Sequence, residues 1–376
     1  MISLYIHVPF CVRKCHYCGF YSTHYTQEAF DAYILALRKE AKVRQGAFSG
    51  SVFDSLYIGG GTPTVLSPEQ LGELLGIVRE HFQVAPGAEM TIEANPGTVS
   101  EDKLELLHAS GLNRLSLGVQ SFSDHVLRTL GRLHSAVEAY KAVMLSRKAG
   151  FANISVDLIY GIPGQSMAEW NETLTEAISL APKHVSAYSL SLDEGSRFIA
   201  EAEAGRFALP DDELVAEMYE IAVSRLRGAG YERYEISNFA FPGFACLHNS
   251  NYWERGEYLG LGPGAWSFVG NARYRTIADV REYARLLKAG YSVIAEEEII
   301  DSRRAANETV MLGLRTSCGV DMFSYGQRYG AEALEQLSRK AGPLIDASLL
   351  IHANGRLMLA ERGFLVANEA LARLAV

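Results

Sequence analysis

Three of the five cysteines in this 376-residue chain, Cys11, Cys15 and Cys18, lie within one stretch of eight residues. The other two, Cys246 and Cys318, are isolated. A disulfide framework would have an even number of dispersed cysteines and would suit a small secreted chain. The pattern instead predicts a cytoplasmic protein with one local thiolate site.

The composition is that of an ordinary globular protein, with 48% hydrophobic and 21% charged residues. This excludes collagen-like, low-complexity and disordered classes. The net charge of −9, with lysine and arginine scattered along the chain, argues against nucleic acid as a main partner. No apolar run approaches the roughly 18 residues of a membrane span, so we expect no transmembrane segment. The first residues lack the features of a secretory signal, and none is expected.

The first half of the chain alternates between short β-rich runs and helical stretches. The predicted strands are 3–8, 55–59, 90–94, 114–119, 153–159 and 184–190. The predicted helices are 27–46, 70–81, 101–110, 136–149 and 167–180. This alternation predicts an α/β fold with parallel strands and right-handed crossovers. Six units are too few for a closed eight-fold barrel, so we expect an open, partial (β/α)6 TIM-like barrel, with a flat doubly wound sheet as the alternative.

Two further regions follow the predicted barrel of residues 1–196. Residues 197–301 begin with a predicted helix at 211–228 and continue in an aromatic- and glycine-rich segment, which we expect to be a smaller α+β region. Residues 302–376 are predicted to be a mostly helical C-terminal domain. Within it, Asn354-Gly355 predicts a tight turn between two strands.

The three clustered cysteines directly follow the first predicted strand, where the loops of such folds bind ligands. A structural zinc ion normally takes four protein ligands, and here His7, His16 or His24 would have to supply the fourth. A cubane iron–sulfur cluster held by three cysteines instead leaves one iron open to another ligand. Both alternatives fit the three thiolates.

Polar or glycine residues also stand near the ends of the later predicted strands. They are Gly60, Gly61 and Thr62 after the second strand, Glu93 after the third, Gln120 and then Arg132 after the fourth, and Asp157 in the fifth. Glycines let the backbone approach a ligand closely, and a guanidinium can clamp a carboxylate through two hydrogen bonds. Taken singly, each of them is better explained by solvation, a tight turn or a structural ion pair than by a ligand. Together they predict a ligand site at this edge of the sheet.

The Cys-x3-Cys-x2-Cys spacing resembles the signature of radical S-adenosylmethionine (SAM) proteins. The resemblance implies a [4Fe-4S] cluster on Cys11, Cys15 and Cys18, with SAM at the open iron. It implies that the SAM site includes the strand-end residues above together with Tyr5 and Tyr17.

Four motifs carry a closer resemblance, and they begin at Tyr5, Gly59, Leu117 and Asp157. They are similar to those of the oxygen-independent coproporphyrinogen III oxidases and their paralogues, the heme chaperones. The segment from Asn307 is similar to the start of that family's C-terminal domain. Two features favour the chaperone branch. Phe20 stands where the oxidases have a fourth cysteine, and the segment 248–253 resembles the heme-linked motif of the chaperones.

The segment 248–253 predicts a heme site through His248, Asn249, Tyr252 and Trp253. Neutral imidazole is a common axial ligand of heme iron, and tyrosine and tryptophan offer flat apolar faces to a porphyrin. The alternative is a hydrogen-bonded histidine beside an aromatic core, and Cys246 is a rival ligand. Arg233, Arg273 and Arg275 are candidates to pair with heme propionates, although the sequence does not separate them from surface charges.

The sequence thus predicts a heme chaperone that binds heme and transfers it to an acceptor protein, such as a respiratory one. Oxidative decarboxylation of coproporphyrinogen III is the alternative, and a radical reaction on another substrate is a third. An electron donor such as a flavodoxin or ferredoxin is implied as a partner. Arg13 and Lys14 are either a docking patch for that donor or two solvated side chains.

Overall fold

The structure, a computed structural model, describes residues 1–192 and 195–374. Its strands are β1 Ile2–Val8, β2 Phe10–Cys11, β3 Thr23–His24, β4 Val52–Gly60, β5 Gln83–Ala94, β6 Arg114–Gln120, β7 Asn153–Tyr160, β8 His184–Ser189, β9 Glu232–Arg233, β10 Asn238–Ala240, β11 Glu257–Leu261, β12 Trp266–Val269, β13 Ala272–Thr276, β14 Ile294–Ile299, β15 Val320–Asp321, β16 Leu350–Ala353 and β17 Arg356–Leu359.

Its α-helices are α1 Gln27–Arg44, α2 Pro68–His81, α3 Glu101–Ala109, α4 Asp124–Thr129, α5 Ala136–Lys148, α6 Met167–Ser179, α7 Arg197–Glu203, α8 Asp212–Gly228, α9 Leu247–Trp253, α10 Val280–Ala289, α11 Ser302–Gly313, α12 Met322–Tyr329, α13 Ala331–Asp346, α14 Glu361–Leu365 and α15 Ala367–Leu374. Side-chain caps fix where the barrel helices begin. Ser67, Ser135 and Ser166 each form a capping box with the residue three positions on, at the starts of α2, α5 and α6.

One mixed sheet of twelve strands organises the molecule, in the order β14-β13-β12-β11-β1-β4-β5-β6-β7-β8-β10-β9. The strands from β11 to β8 in this order are parallel, and those outside them are antiparallel. Across the part of the chain described, the sheet ends at β14 and β9, so the barrel stays open. The predicted α/β class and open TIM-like barrel are confirmed. The region 197–301 does not form a separate sheet, because its strands extend this one at both edges.

The two faces of the parallel strands differ in polarity. Side chains alternate along a strand, and the partner residues of neighbouring parallel strands share a face. The outer face is apolar and packs on the helices, with Leu4, Leu56, Ile92 and Leu115 fully buried. The inner face is polar along much of its length: Ser3 is paired with Ser55, Tyr5 with Tyr57 and Asp157 with Ser186. A parallel sheet covered on both faces is normally apolar throughout, so the inner face indicates a polar interior.

The C-terminal region is mostly helical, with a three-stranded sheet in the order β15-β17-β16. The predicted turn joins β16 to β17, where Asn354 and Gly355 both have positive φ, as a tight hairpin turn requires. Leu337, Leu344 and Leu371 pack into the core that is continuous with the barrel. No helix among the described residues is both long and apolar enough to cross a membrane.

Candidate functional site

The cysteine loop leaves the carboxyl end of β1 and crosses the top of the barrel. Cys11, Cys15 and Cys18 are free thiols of intermediate exposure. The Cys11 Sγ lies 3.6 Å from the Thr62 Oγ1, on the turn after β4. Burial raises the pKa of Cys11 and raises that of Cys18 to about 11. The loop therefore presents three thiols beside the strand ends, as the sequence predicted.

Arg132 connects the cysteine loop to the end of β6. Its Nη1 donates to the Cys15 Sγ at 3.4 Å and its Nη2 donates to the Gly118 carbonyl at 2.6 Å. The Nε atom is buried and has no hydrogen-bond partner among the described residues. Tyr17 packs against the apolar cluster that includes Leu130 and Ile162, and burial raises the pKa of the Tyr17 hydroxyl. Arg132 thus keeps one donor for a group that the protein does not supply.

The glycine turn after β4 is held against the cysteine loop by backbone contacts. Gly61 and Thr62 donate their N–H groups to the carbonyls of Val8 and Phe10, both at 2.8 Å. A Cβ on Gly61 would lie 2.6 Å from the Phe10 carbonyl oxygen, and one on Gly60 would lie 2.6 Å from the His7 ring. These contacts within the protein already require glycine at both positions, so the tight-turn interpretation accounts for them without a ligand.

Glu93 at the end of β5 faces the same turn. Its carboxylate accepts the Tyr57 hydroxyl at 2.9 Å and the Gly60 N–H at 3.1 Å. Burial raises the pKa of Glu93 to about 7. A carboxyl group poised near neutrality beside a cavity is a common feature of ligand and catalytic sites.

Gln120 and Asp157 are placed differently from each other. Gln120 has a φ of 68°, a left-handed conformation that side-chain-bearing residues seldom adopt and that is often found at functional sites. Asp157 lies deeper in the barrel and accepts hydrogen bonds from Ser116, Ser155 and Ser186 at 2.7–2.9 Å. The serines satisfy the Asp157 carboxylate, so its contacts support a structural role.

A cavity of about 1020 Å³ occupies the barrel interior and opens beside the cysteine loop. Its lining includes Lys14 and Phe20 of the loop, Tyr5 and Glu93 of the strands, and residues of α9. This is at the upper limit of typical small-molecule sites, which span about 300–1000 Å³. The cavity is large enough for a porphyrin-sized ligand. Phe20 is 70% exposed at this cavity.

His248 is buried near the amino ends of β1 and β4, with 1% of its surface exposed. Its Nδ1 pairs with the Ser55 hydroxyl at 3.0 Å and its Nε2 with the Tyr252 hydroxyl at 2.8 Å. Burial lowers the pKa of His248 to about 3, so the ring is neutral at pH 7. The structure shows the hydrogen-bonded arrangement, and metal ligation through Nε2 would require the Tyr252 hydroxyl to move. Asn249 and Tyr252 also line the cavity, whereas Trp253 is not among its lining residues.

Glu89 at the start of the barrel interior holds α9 in place. It accepts the backbone N–H groups of Leu247 and His248, both at 3.1 Å, and the Cys246 thiol at 3.3 Å. Cys246 is fully buried, and burial raises its pKa to about 12. A protonated thiol engaged with a carboxylate is a poor metal ligand, so the structure does not favour Cys246 as the rival to His248.

The three arginines singled out from the sequence lie in two places. Arg273 and Arg275 line the cavity, where Arg273 is paired with Glu298 and Glu308 and Arg275 with Glu296. Arg233 lies elsewhere, in a smaller cavity of about 470 Å³, where it is paired with Glu361.

Arg13 donates to the Gly131 carbonyl at 2.7 Å, while Lys14 lines the main cavity.

The donor set of the cysteine loop fits the predicted cluster by its chemistry. Soft thiolate ligands are those that iron–sulfur clusters take. Across residues 1–192 and 195–374, no three or more His, Cys, Asp and Glu side chains are grouped so as to hold a metal ion. Ligation by these cysteines therefore stays a prediction.

Sequence reasoning missed Glu89, Arg114, His184 and Arg255, which line or support the barrel interior. The signal that would have found the first three is the alternation of polar residues in the predicted parallel strands, within them for Arg114 and His184 and directly before one for Glu89. Such strands are expected to be apolar on both faces, so a polar residue at every second position indicates a cavity inside the barrel.

Comparisons with known proteins agree with this architecture. A profile of the Radical SAM superfamily matches residues 5–177, and a profile of the HemN C-terminal domain matches residues 300–366. The solved structure of coproporphyrinogen III oxidase HemN from Escherichia coli is similar with a TM-score of 0.88 and 24% identity, covering 100% of this chain and 90% of that one. The matches define a radical SAM protein with a HemN-type C-terminal domain.

Two curated relatives narrow this class. The heme chaperone HemW of Lactococcus lactis is 35% identical over 98% of this chain and 95% of its own length. The HemW of Bacillus subtilis is 34% identical over 98% of both chains. The chain belongs to the HemW family of heme chaperones.

Proposed function

We propose that this protein is a cytoplasmic heme chaperone that holds heme in the main cavity and passes it to an acceptor protein. One observation carries the proposal: a single cavity of about 1020 Å³ is lined both by the cysteine loop and by the helix that bears His248, Asn249 and Tyr252. The relatives at about a third identity over nearly the full chain are named as heme chaperones, which supports the same function.

Cys11, Cys15 and Cys18 would hold the [4Fe-4S] cluster, which when bound would supply an electron and one open iron site for SAM. Arg132, with its unpartnered Nε, would hold the methionine carboxylate, and Glu93 would pair with the amino group. Tyr5 lines the main cavity with Glu93, and Gln120 lies with Arg132 beside Gly118, whereas Gly60, Gly61 and Thr62 shape the turn. In this proposal, residues 1–196 form the barrel, residues 197–301 extend its sheet, and residues 302–376 form a helical cover.

The test is anaerobic reconstitution of iron and sulfide, followed by a hemin titration and a coproporphyrinogen assay on the same sample. The proposal expects stoichiometric hemin binding and no protoporphyrinogen IX. One zinc ion and no sulfide per chain would refute the cluster assignment, and absence of hemin binding would refute the chaperone function.

Oxidation of coproporphyrinogen III is the second candidate, since Arg132 and Glu93 could bind SAM, which the oxidases also use. It expects decarboxylated product from the reconstituted protein with SAM and a reductant. No product from a sample with a full cluster would exclude it. Phe20, which stands at the position of the oxidases' fourth cysteine, argues against this candidate.

A further inference from the structure

Arg255 stands two residues after the His248 motif in a backbone conformation that usually belongs to glycine. The N–H of Arg255 donates to the Tyr252 carbonyl and that of Gly256 to the Asn251 carbonyl, which together form a Schellman motif at the end of α9. Arg255 occupies the left-handed position of that motif, with a φ of 57°. A non-glycine residue there costs roughly 1 kcal/mol or more and persists where its side chain is needed.

The guanidinium of Arg255 is held rigidly inside the protein. Arg255 is 6% exposed, its Nε donates to the Glu308 carboxylate at 2.8 Å, and its Cζ lies 4.7 Å from the centre of the Phe268 ring. Glu308 also accepts from Arg273 at 2.8 Å. Although burial alone would raise it, the pKa of Glu308 is lowered because Arg273 and Arg255 both donate to the carboxylate. The orientation of Arg255 is therefore fixed before any ligand binds.

One donor of this fixed group is unused. The Nη2 atom of Arg255 is buried and has no hydrogen-bond partner among the described residues, and the same holds for the Nε of Arg275. Both arginines line the main cavity. A buried donor without an acceptor costs about 1–3 kcal/mol, and more for a charged group, so a cavity wall that holds two of them is suited to an anionic ligand.

We propose that Arg255 anchors a carboxylate of the ligand in the main cavity and that Arg275 adds a second donor on the same wall. This inference rests on the proposed function, in which the ligand is heme and the carboxylates are its propionates. SAM also carries a carboxylate, on its methionine moiety. Arg132 is the arginine with an unused donor beside the cysteine loop, and Arg255 lies with α9 and β12, so the assignment commits to the porphyrin.

The experiment compares iron protoporphyrin IX, its dimethyl ester and SAM as ligands of the reconstituted full chain. Arg255→Gly removes the guanidinium and places at this position the residue that its backbone favours. Arg255→Lys keeps the charge but not the forked geometry. Arg233→Lys is the matched control, because Arg233 is also a buried arginine with an unpartnered Nε that is paired with a glutamate and stacked on phenylalanine, but it lies in the smaller cavity.

We expect Arg255→Gly to weaken binding of iron protoporphyrin IX by about tenfold or more, the usual size of a lost charge-assisted hydrogen bond. Arg255→Lys should weaken it less, and Arg233→Lys should leave it unchanged. Binding of the dimethyl ester and of SAM should be the same in Arg255→Gly as in the wild type. Thermal unfolding of each variant verifies that it is folded.

Several results would overturn the assignment. Unchanged binding of iron protoporphyrin IX by Arg255→Gly would do so, as would equal weakening for the acid and the ester, which would indicate a general loss of shape. Loss of SAM binding alone would mean that Arg255 binds the carboxylate of SAM and not that of the porphyrin. If the wild type binds no iron protoporphyrin IX, the proposed function fails and this assignment fails with it. If the wild type binds it and the Arg255 variants bind it equally well, the function stands and this assignment alone is wrong.

Discussion

The two ends of the barrel interior lie on the same inner face of one sheet, yet their polar groups differ in whether the protein itself supplies their hydrogen-bond partners. At the carboxyl ends of the strands, three thiols are free and Arg132 keeps an unpartnered Nε. At the amino ends, His248 and His184 have both ring nitrogens hydrogen-bonded to hydroxyl groups within the protein. The first end is prepared to receive groups from outside, and the second is mostly closed upon itself.

The difference shows that the surroundings of a residue decide whether it can bind a ligand. Cys15 and Cys246 are both free thiols, but Cys15 is partly exposed beside an arginine, whereas Cys246 is fully buried beside a carboxylate. Arg114 is one exception at the closed end, because its Nε and Nη1 are buried without a hydrogen-bond partner in the described part of the chain, and Arg255 after α9 is another. Glu89 is one of the groups whose charge balances Arg114.

The largest effect is expected at the open end. Replacing Cys11, Cys15 or Cys18 singly by serine should abolish assembly of the cluster, because three thiolates are the minimum for a cubane with one open iron. Iron and sulfide should fall from about four each per chain toward zero. Cys318→Ser is the control, since Cys318 is exposed and remote from the loop, and it should keep the full content. A serine variant that retains the wild-type content would remove that cysteine from the ligand set.

At the closed end, Glu89→Gln should cause the largest loss of stability. The amide cannot replace the carboxylate that accepts two backbone N–H groups of α9 and balances Arg114, so an uncompensated buried charge remains. Losing an acceptor for these N–H groups and one of the charges that balance Arg114 should cost about 3 kcal/mol, measured as the free energy of unfolding in urea. Glu73→Gln on the exposed face of α2 should stay within about 0.5 kcal/mol. A stable Glu89→Gln protein would show that the amino end is not closed as described.

His248 and Tyr252 test whether the closed end opens for heme. Tyr252→Phe removes only the partner of His248 Nε2 and should cost about 1 kcal/mol of stability. If His248 is the axial ligand, Tyr252→Phe should keep or strengthen hemin binding, because the nitrogen no longer has to exchange a hydrogen bond for iron. His248→Ala should then weaken hemin binding by about tenfold, or ~1.4 kcal/mol, and alter the visible spectrum. A less stable His248→Ala protein with unchanged hemin titration and spectrum would leave His248 as a packing residue.

The sequence could bring the residues of the open end together, because each of them lies on one loop or near the end of a strand. Cys11, Cys15 and Cys18 lie on one loop, and Glu93 and Gln120 end their strands, so strand prediction alone brings them to one edge. The fold class followed from the alternation of strands and helices for the same reason.

The closed end depends on pairings across long stretches of sequence, which local patterns do not reveal. Ser55 contacts His248 and Glu89 contacts Cys246, over separations of 193 and 157 residues. The seventh parallel strand, β11, pairs with β1 although it lies about 250 residues later in the chain. The left-handed conformation of Arg255 was equally hidden, because it depends on where α9 ends, and α9 was not predicted.

The last prediction concerns the pH dependence of SAM binding at the open end. Burial raises the pKa of Glu93 to about 7 from its ordinary 4.5, so the carboxyl group is largely protonated below pH 7 in the free protein. Only the ionised form pairs with the ammonium of SAM. The affinity should therefore rise as pH increases toward 7, by up to about tenfold per unit below the pKa, and level off above it.

Isothermal titration at several pH values from 5.5 to roughly 8 would measure this profile, with Glu93→Gln as the matched variant. The glutamine side chain does not titrate. Its oxygen can still accept the Gly60 N–H while its NH2 group donates to the Tyr57 hydroxyl oxygen, so its profile should be flat and its affinity above pH 7 weaker. An unchanged slope in Glu93→Gln would assign the pH dependence to another group. A flat wild-type profile would mean that Glu93 does not meet the SAM ammonium, and the open end would then recognise SAM through Arg132 and the cluster alone.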